Sequence, residues 1–341
     1  MRSEEMKFGI YGSVANPPRG EHLDRCVDEA IEEAEIAEEC GFDSYFFGEH
    51  HQDKDGFIPA PIVLATAVAA RTRRLKVGTA VLLLALHHPV QVAEEAITLD
   101  IVSKGRVVLG VGLGYESADF SAFGLPVASR VGRFGEAMEI IRRCFSGERF
   151  SFHGKHFTLQ DIEIHPRPIQ EPGPPIWIGA NTPAGARRAG KIADGFVLGP
   201  GVDLEAVTKL LEAYRSAARE AGRSPVVALM RDAWVASTRA EAERVYGPEV
   251  MTAYKYYWRS GAVAWRHIKS ESDLTLEHFT RNRMVLGDPE ECIQEFQRWH
   301  EATGADSVVL RLRHAHSGGP PHKNIVESIR LFGERVIPYL R

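Results

Sequence analysis

Three consecutive polar residues in the first part of the chain are candidates for proton transfer. Glu49, His50 and His51 follow a short β-rich run at residues 43–48. An imidazole with its unperturbed pKa of about 6.5 can give or take a proton at neutral pH, and a carboxylate can orient it. The residues alone leave two interpretations open, a catalytic histidine or hydrogen-bonded histidines that do no chemistry.

Two other segments have the composition of cofactor-binding loops. The sequence Gly-Val-Gly-Leu-Gly-Tyr at residues 110–115 would let a flat ring or a phosphate approach the backbone closely. It lacks the spacing of a dinucleotide fingerprint, and no acidic residue clearly ends a following strand. The sequence Ala-Asn-Thr-Pro at residues 180–183 precedes a predicted helix, whose first N–H groups would form an anion site suited to a phosphate.

A histidine pair near the end of the chain is a candidate for metal or substrate binding. His314 and His316 would share one face of an extended strand, as metal ligands do in some barrel hydrolases. Those hydrolases carry the pair on their first strand, and no carboxylate ligand is evident at neighbouring strand ends. We therefore predict that both histidines contact substrate and that the chain holds no metal, with a metal-dependent hydrolase as an alternative.

All these candidates lie at the ends of strands that alternate with amphipathic helices. Eight repeats of strand and helix require parallel strands joined by right-handed crossovers, and they predict an α/β fold of the (β/α)₈ TIM-barrel type. A doubly wound sheet is the second interpretation. In such barrels the active site lies at the carboxyl ends of the strands. Strands are predicted at residues 7–12, 43–48, 75–83, 106–112, 176–179, 195–198, 226–236 and 306–312.

The chain is predicted to form one domain over residues 1–341 with two departures from the barrel pattern. Residues 148–168 contain an alternating sequence with a Gly turn, which predicts a β-hairpin excursion. Residues 241–286, between the seventh and eighth strands, are rich in aromatic residues and too long for a simple connection. We predict a lid-like insertion here, with Trp258 and Trp265 on the substrate side.

The composition excludes several classes of protein. A net charge of −5 gives no basic surface for nucleic acid, and the longest apolar run, residues 77–86, is too short to cross a membrane. The four cysteines are scattered without metal-ligand spacing, and the first residues lack the apolar stretch of a signal peptide. These features predict a cytoplasmic protein.

The ordered set of motifs closely resembles the bacterial luciferase family of flavin-dependent monooxygenases. The motifs are Glu-Glu-Cys-Gly-Phe-Asp at 38–43, Gly-Glu-His-His at 48–51, Val-Gly-Thr-Ala-Val at 77–81, His-Pro-Val at 88–90, Ser-Lys-Gly-Arg-Val-Val-Leu-Gly at 103–110, Ile-Trp-Ile-Gly at 176–179 and Gly-Asp-Pro at 287–289. They follow the family's order along nearly the whole chain.

The resemblance implies a barrel that holds reduced FMN, or in a sister branch a deazaflavin coenzyme, at its mouth. It implies that His50 is catalytic and that a non-proline cis peptide joins Ala80 and Val81 beneath the flavin. It also implies that the segment ending at Gly287 is a mobile lid. The residues expected to contact the cofactor are Glu49, Ala80, Val81, Gly112, Gly114, Tyr115, Gly179, Ala180, Asn181 and Ala184, the last four near its phosphate.

The function implied is oxygenation of a small organic substrate by reduced FMN and O₂ through a flavin C4a-peroxide. No stretch is typical of a nicotinamide site, so a separate flavin reductase is expected to supply reduced FMN to a homo-oligomer, a dimer or larger. Alternatives are hydride transfer by a deazaflavin coenzyme and a family member that binds flavin without catalysis. One departure is Leu113, where luciferase itself carries an arginine, so this chain fits the wider family better than luciferase proper.

Overall fold

The computed structural model describes residues 5–15, 23–54, 56–259 and 268–341. Its strands are β1 (Lys7–Gly12), β2 (Ser44–Phe47), β3 (Lys76–Leu82), β4 (Val107–Val111), β5 (Phe150–His153), β6 (Thr158–Ile162), β7 (Ile176–Gly179), β8 (Gly195–Leu198), β9 (Val227–Val235), β10 (Met284–Gly287) and β11 (Ser307–Arg311). Its helices are α1 (Leu23–Glu39), α2 (Pro61–Arg71), α3 (Pro89–Ser103), α4 (Ser117–Ala122), α5 (Arg130–Ser146), α6 (Pro183–Ile192), α7 (Leu204–Glu220), α8 (Arg239–Arg259), α9 (Leu276–Thr280), α10 (Pro289–Thr303) and α11 (His322–Arg335).

Eight parallel strands close into a barrel in the order β1-β2-β3-β4-β7-β8-β9-β11. The ring closes where β11 pairs with β1, with Lys7 opposite Ser307, and where β8 pairs with β9. The predicted (β/α)₈ barrel is confirmed, and the doubly wound sheet is wrong because no open edge remains between β11 and β1. None of the described helices combines the length and the apolar character that a membrane span requires.

Side chains fill the barrel interior, and a second, larger core lies between strands and helices. The interior cluster consists of Tyr11, Phe46, Val108, Met230 and Val309, with Ala80 and Trp177 packed against it. Because alternate residues of a strand point to the same side, residues two positions further along β9 and β11 also face the interior. Asp232 and Arg311 occupy these positions. They lie opposite one another in the last paired position of β9 and β11, towards the carboxyl ends of these strands.

Among the described residues, a hairpin and an additional strand lie in the two regions that depart from the barrel pattern. In the hairpin, β5 pairs antiparallel with β6, and Glu136 of α5 accepts N–H groups from three consecutive residues of its turn, 155–157. The segment between β9 and β11 comprises α8, α9, β10 and α10. β10 extends the sheet by pairing with β9 beyond the barrel, with Met284 opposite Asp232. Whether this segment moves as a lid stays a prediction.

A buried ionic cluster outside the barrel fixes the loop that follows β11. Arg313 Nη2 donates to Glu29 Oε2 at 3.1 Å and to Glu33 Oε1 at 2.6 Å, both on α1. His322, at the start of α11, lies 3.1 Å from Glu33 Oε1 through Nδ1 and 3.2 Å from Glu32 Oε2 through Nε2. The hydrogen bond to Glu33 raises the pKa of His322 against the lowering effect of burial. The cluster therefore connects α1, α11 and the last strand end.

Replacing His322 with Gln should make protein stability less dependent on pH. A raised pKa in the folded state stabilises the protein below the unfolded pKa of about 6.5, and this contribution is lost as pH rises through the folded pKa. The variant should lose about 1 kcal/mol of unfolding free energy near pH 6, the net contribution of one typical intramolecular hydrogen bond. Urea unfolding at acidic and alkaline pH measures this loss.

His153→Gln is the matched control, because His153 is exposed on the hairpin. The control should follow the wild-type pH profile. An equal loss of stability for His322→Gln at both pH values would contradict the assignment of the raised pKa.

Candidate active site

The carboxyl ends of the eight barrel strands form one rim, to which distant parts of the sequence contribute. β2 is followed by residues 49–51, β3 by a turn at 83–87, β4 by residues 112–115 and β7 by residues 180–184. β9 and β11 contribute Asp232 and Arg311 from the opposite side. The predicted site residues that follow β2, β3, β4 and β7 thus lie along this rim, which we call the mouth.

Glu49 is the centre of a hydrogen-bonded cluster that connects two rim loops. Its Oε1 lies 2.6 Å from His51 Nε2 and 2.7 Å from His87 Nε2, and its Oε2 accepts the N–H of Leu83 at 2.5 Å. The carboxylate is 3% exposed. Burial alone would raise the pKa of Glu49, but the hydrogen bonds from His51 and His87 outweigh it and lower the pKa to about 2. Glu49 is therefore ionised and only accepts, so both imidazoles donate.

The same cluster is the one group of three described residues whose ligand atoms are close enough to hold a metal, all within 4.8 Å of one another. The two nitrogen-to-oxygen distances, 2.6 and 2.7 Å, are hydrogen-bond lengths. Two ligands bound at ~2.1 Å to one ion would be separated by roughly 3 Å or more. The geometry therefore fits hydrogen bonds between these atoms and not two ligands of one metal ion. The prediction of no metal stays a prediction.

His50 has surroundings different from those of His51. Its Nδ1 lies 3.9 Å from Asp53 Oδ2, and its ring packs edge-on against Phe57 with 5.1 Å between ring centroids. The His50 side chain remains 30% exposed. The hydrogen bond that His51 donates to Glu49 raises the pKa of His51, and Phe123 packs against that ring. Of the two neighbours, His51 is fixed by the carboxylate, and His50 is the one with an accessible ring.

The peptide bond between Ala80 and Val81 is cis, as the resemblance implies. Ala80 packs against the interior cluster, and the Val81 side chain lies between two glycines of neighbouring strand ends. A Cβ on Gly112 would lie 2.7 Å from Val81 Cγ2, and one on Gly179 would lie 2.6 Å from Val81 Cγ1. The absence of side chains on Gly112 and Gly179 therefore leaves the space that the Val81 side chain occupies. The contact of these glycines with a cofactor stays a prediction.

The residues that follow Gly112 after β4 differ in burial and contacts. Gly114 has a φ of +72°, and the Phe120 ring lies 3.2 Å from the position a Cβ would take there. Tyr115 is 59% exposed, and Leu113 packs against the main core. Leu113 offers no charge at the position where luciferase carries arginine.

The loop after β7 has the donors that a phosphate group requires. Thr182 caps α6 by accepting the Gly185 N–H at 3.2 Å, and Asn181 Oδ1 accepts the Gly199 N–H at 3.1 Å, which connects this loop to the one after β8. The N–H of Ala184 lies in the first turn, where no helix carbonyl can reach it. The exposed start of α6 therefore fits a phosphate, with Ala180 at its base.

Sequence reasoning missed the ion pair between Asp232 and Arg311. Arg311 Nε donates to Asp232 Oδ1 at 2.6 Å and Arg311 Nη2 to Asp232 Oδ2 at 3.1 Å. The Tyr254 hydroxyl of α8 also donates to Asp232. The signal that could have revealed the pair is alternation, because Met230 and Val309 of the interior lie two residues before these charges.

The structure corrects the prediction that His314 contacts substrate. His314 is 1% exposed, and its Nε2 lies 2.7 Å from the Tyr246 hydroxyl, which itself donates to the Arg311 carbonyl at 2.6 Å. Burial and the neighbouring Arg311 lower the pKa of His314 to about 3, so the ring is neutral. Because Tyr246 of α8 covers it, His314 lies behind the mouth.

The other predicted substrate residues lie in or near the segment that begins with α8. His316 stacks on Tyr256 with 3.5 Å between ring centroids, so it contacts this segment. Trp258 is half-buried, and its Nε1–H donates to the Ile268 carbonyl at 3.1 Å. Trp265 lies outside the described residues. Among the described residues, neither His314 nor His316 belongs to a group of three potential metal ligands, so the hydrolase alternative has no site there.

Comparisons with known proteins agree with this geometry. The chain matches the family model described as luciferase-like monooxygenase over residues 6–306. It is 33% identical over 350 residues to an F420-dependent glucose-6-phosphate dehydrogenase of Microbacterium testaceum, covering 98% of each chain. It is 30% identical to the 4-hydroxyprotoasukamycin monooxygenase of Streptomyces nodosus subsp. asukaensis, covering 90% of this chain and 85% of the relative. The solved monooxygenase RslO1 of Streptomyces bottropensis superposes with a TM-score of 0.85 at 28% identity, covering 98% of this chain and 100% of RslO1.

Glu49→Gln should lower the pKa of His51 towards its ordinary value, because the carboxylate hydrogen bond that raises it is removed. Proton NMR titration of the histidine rings measures this shift. The variant should also lose about 2 kcal/mol of unfolding free energy, since a neutral amide cannot accept two imidazole donors and a backbone N–H equally well. Glu148→Gln, at an exposed position, is the control. An unchanged His51 titration would contradict the cluster.

Gly112→Ala should destabilise the protein by about 1–3 kcal/mol, because the new methyl group overlaps the Val81 side chain. Gly135→Ala is the matched control on α5, where a Cβ meets no atom within 4 Å. The control should stabilise the protein by about 0.5–1 kcal/mol through reduced chain entropy in the unfolded state. Chemical denaturation measures both variants. Equal effects of the two substitutions would show that Val81 does not fill the space beside Gly112.

Proposed function

Because the chain belongs to the luciferase-like monooxygenase family, we propose that it is an FMN-dependent monooxygenase that uses O₂ to oxygenate a small organic substrate. Family membership makes the chain a luciferase-like oxidoreductase, and the choice of FMN and of oxygenation is the proposal. It is supported by the close superposition on the monooxygenase RslO1 and by 30% identity over 90% of the chain to a second monooxygenase.

The observation that carries this proposal is the difference between two adjacent histidines at the mouth. His51 is held by an ionised Glu49, whereas the His50 ring is partly exposed beside Asp53. The His50 side chain keeps 30% exposure at the rim. We assign proton transfer in the reaction to the His50 imidazole. Glu49 contributes by fixing the rim loops on which His50 lies.

The residues present fit a bound flavin nucleotide. The Ala184 N–H at the start of α6 would hold the phosphate, with Asn181 and Thr182 shaping the loop. The cis peptide of Ala80 and Val81 would contact the flavin ring, and Ala80 and Trp177 both pack against the interior cluster. When bound, reduced FMN supplies the electrons that activate O₂. Tyr254 and Tyr246 anchor α8 over the β9 and β11 side of the mouth, which limits the access of water there.

Further components of the proposal concern partners. The sequence carries no dinucleotide fingerprint, so we propose that a separate flavin reductase supplies reduced FMN. We also propose a homo-oligomer, which sedimentation analysis of the purified protein tests. His316, which contacts the segment beginning with α8, is the remaining described histidine proposed to lie on the substrate side.

A second candidate function keeps the fold and changes the cofactor to the deazaflavin F420, with hydride transfer in place of oxygenation. The observation that favours it is the 33% identity over 98% of the chain to an F420-dependent glucose-6-phosphate dehydrogenase. The donors at the start of α6 would serve the phosphate of either cofactor.

Anaerobic binding of reduced FMN and of reduced F420, followed by exposure to O₂, distinguishes the two candidates. Our proposal expects the tighter binding for FMN and, with a substrate from a screened panel, incorporation of isotopically labelled oxygen from O₂ into the product. Tight binding of F420 alone, with substrate oxidation in the absence of O₂, would refute it in favour of the second candidate.

His50→Gln should reduce turnover by about 10²- to 10⁴-fold, the usual contribution of a general acid or base, while FMN affinity changes little. The expected loss appears in kcat measured under saturating FMN and substrate. His153→Gln, at an exposed position on the β5–β6 hairpin, should retain full activity. Full activity of His50→Gln would remove the proton-transfer role from this residue.

A further inference from the structure

We propose that Arg311 is a cofactor-binding residue: its Nη1 donates a hydrogen bond to a ring oxygen of the bound cofactor and stabilises the negative charge that the ring gains on reduction. Asp232 is the positioning residue that orients Arg311. This inference rests on the proposed function, and it applies to FMN and to F420 alike, because both rings carry carbonyl oxygens next to the atoms that accept electrons.

The strand positions place Arg311 inside the barrel mouth. Val309 belongs to the interior cluster, and Arg311 lies two residues further towards the carboxyl end of β11 on the same side of the strand. The same alternation takes β9 from Met230 to Asp232. Tyr11 of β1 and Tyr257 of α8 are near enough to Arg311 for electrostatic interaction with its guanidinium. Arg311 therefore lies above the floor of side chains that fills the barrel.

The hydrogen bonds of Arg311 leave one end of its guanidinium available. Nε and Nη2 are both committed to Asp232 in a two-pronged pair. None of the residues that the structure describes accepts a hydrogen bond from Nη1, and the side chain retains 13% exposure while Asp232 has none. A guanidinium is planar, so fixing Nε and Nη2 also fixes the direction in which Nη1 donates.

Asp232 is itself held in place from the α8 side. The Tyr254 hydroxyl donates to its carboxylate, and His314 Nε2 lies 3.6 Å from its Oδ1. This shared carboxylate keeps Arg311 in one orientation. Because the Asp232 charge is divided between two donors, the face of Arg311 that carries Nη1 keeps positive character towards the mouth.

The neighbouring buried arginines contact other parts of the protein and do not face the mouth. Arg231, on the opposite side of β9, stacks on Trp299 of α10 and donates to the Gly199 carbonyl. Arg313 pairs with Glu29 and Glu33 of α1. Of the three arginines at the β9 and β11 strand ends, Arg311 is the one with donor capacity directed into the site.

A purely structural ion pair is the competing explanation, and the redox state of the cofactor separates the two. A structural pair would change the affinity for oxidised and reduced cofactor equally, through the shape of the mouth. A hydrogen bond to the ring oxygen strengthens when the ring becomes anionic, because charge-assisted hydrogen bonds are stronger than neutral ones. The dissociation constants of both redox states, measured anaerobically without substrate, therefore test the proposal independently of catalysis.

The variants are Arg311→Lys and the double variant Arg311→Gln with Asp232→Asn. The double variant removes both charges together, so that no unpaired carboxylate remains buried and the protein can fold. Arg313→Lys is the matched control, since it perturbs a buried ion-paired arginine outside the barrel. Thermal unfolding of each variant confirms that the compared proteins are folded.

We expect the double variant to bind reduced cofactor about tenfold more weakly relative to oxidised cofactor than the wild type does. Arg311→Lys should fall between the two, and Arg313→Lys should keep the wild-type ratio. An unchanged ratio in the double variant would overturn the role of Arg311 and leave the proposed function intact. A wild-type protein that binds neither FMN nor F420 would overturn both.

Discussion

Closure of the parallel barrel is the constraint on which the rest of the structure depends. A parallel sheet with open edges would leave backbone donors and acceptors of β8 and β9 unpaired, and closure satisfies them. Since all eight strands run in one direction, closure also gathers their carboxyl ends into one rim. Glu49, the cis peptide at Ala80, and Arg311 come from positions far apart in the sequence and meet there. The small and large side chains of the interior, with Tyr11 and Trp177 among them, support this rim from below.

Two buried carboxylates, Glu49 and Asp232, hold neighbouring side chains of the rim in fixed positions. A buried carboxylate is tolerated only when its charge is paired and its oxygens accept hydrogen bonds. Glu49 meets this requirement by accepting hydrogen bonds from His51, His87 and the Leu83 N–H. One side chain therefore fixes the loops that follow β2 and β3. Asp232 meets it with Arg311 and Tyr254. The groups that we propose to act on a ligand are the partly exposed His50 ring and the Nη1 end of Arg311.

The described parts of the segment between β9 and β11 contact the barrel at several points. Its first helix, α8, places Tyr246 and Tyr254 on one face, where they cover His314 and reach Asp232. Its strand β10 continues the sheet beside β9, and Tyr256 stacks on His316 of the loop after β11. These contacts connect the segment to the ion pair at the mouth. A change in the position of α8 would therefore alter the surroundings of Arg311.

The sequence by itself determined the eight barrel strands, the barrel and the location of the Glu-His-His motif. Helices such as α2 and α3 are favoured by a starting proline and by apolar spacing, which act over a few residues. Only the tertiary structure decided which side chains meet. The contact between Glu49 and His87 spans 38 residues and that between Asp232 and Arg311 spans 79. Local alternation shows which side of a strand a residue faces, but it does not show which distant residue that side chain contacts. His314 shows the same limit, since its position at a strand end predicted a site residue and the packing of α8 buried it. Short-range backbone preferences fix where a strand ends, whereas the closing of the barrel and the packing of its insertion fix what each strand end can touch.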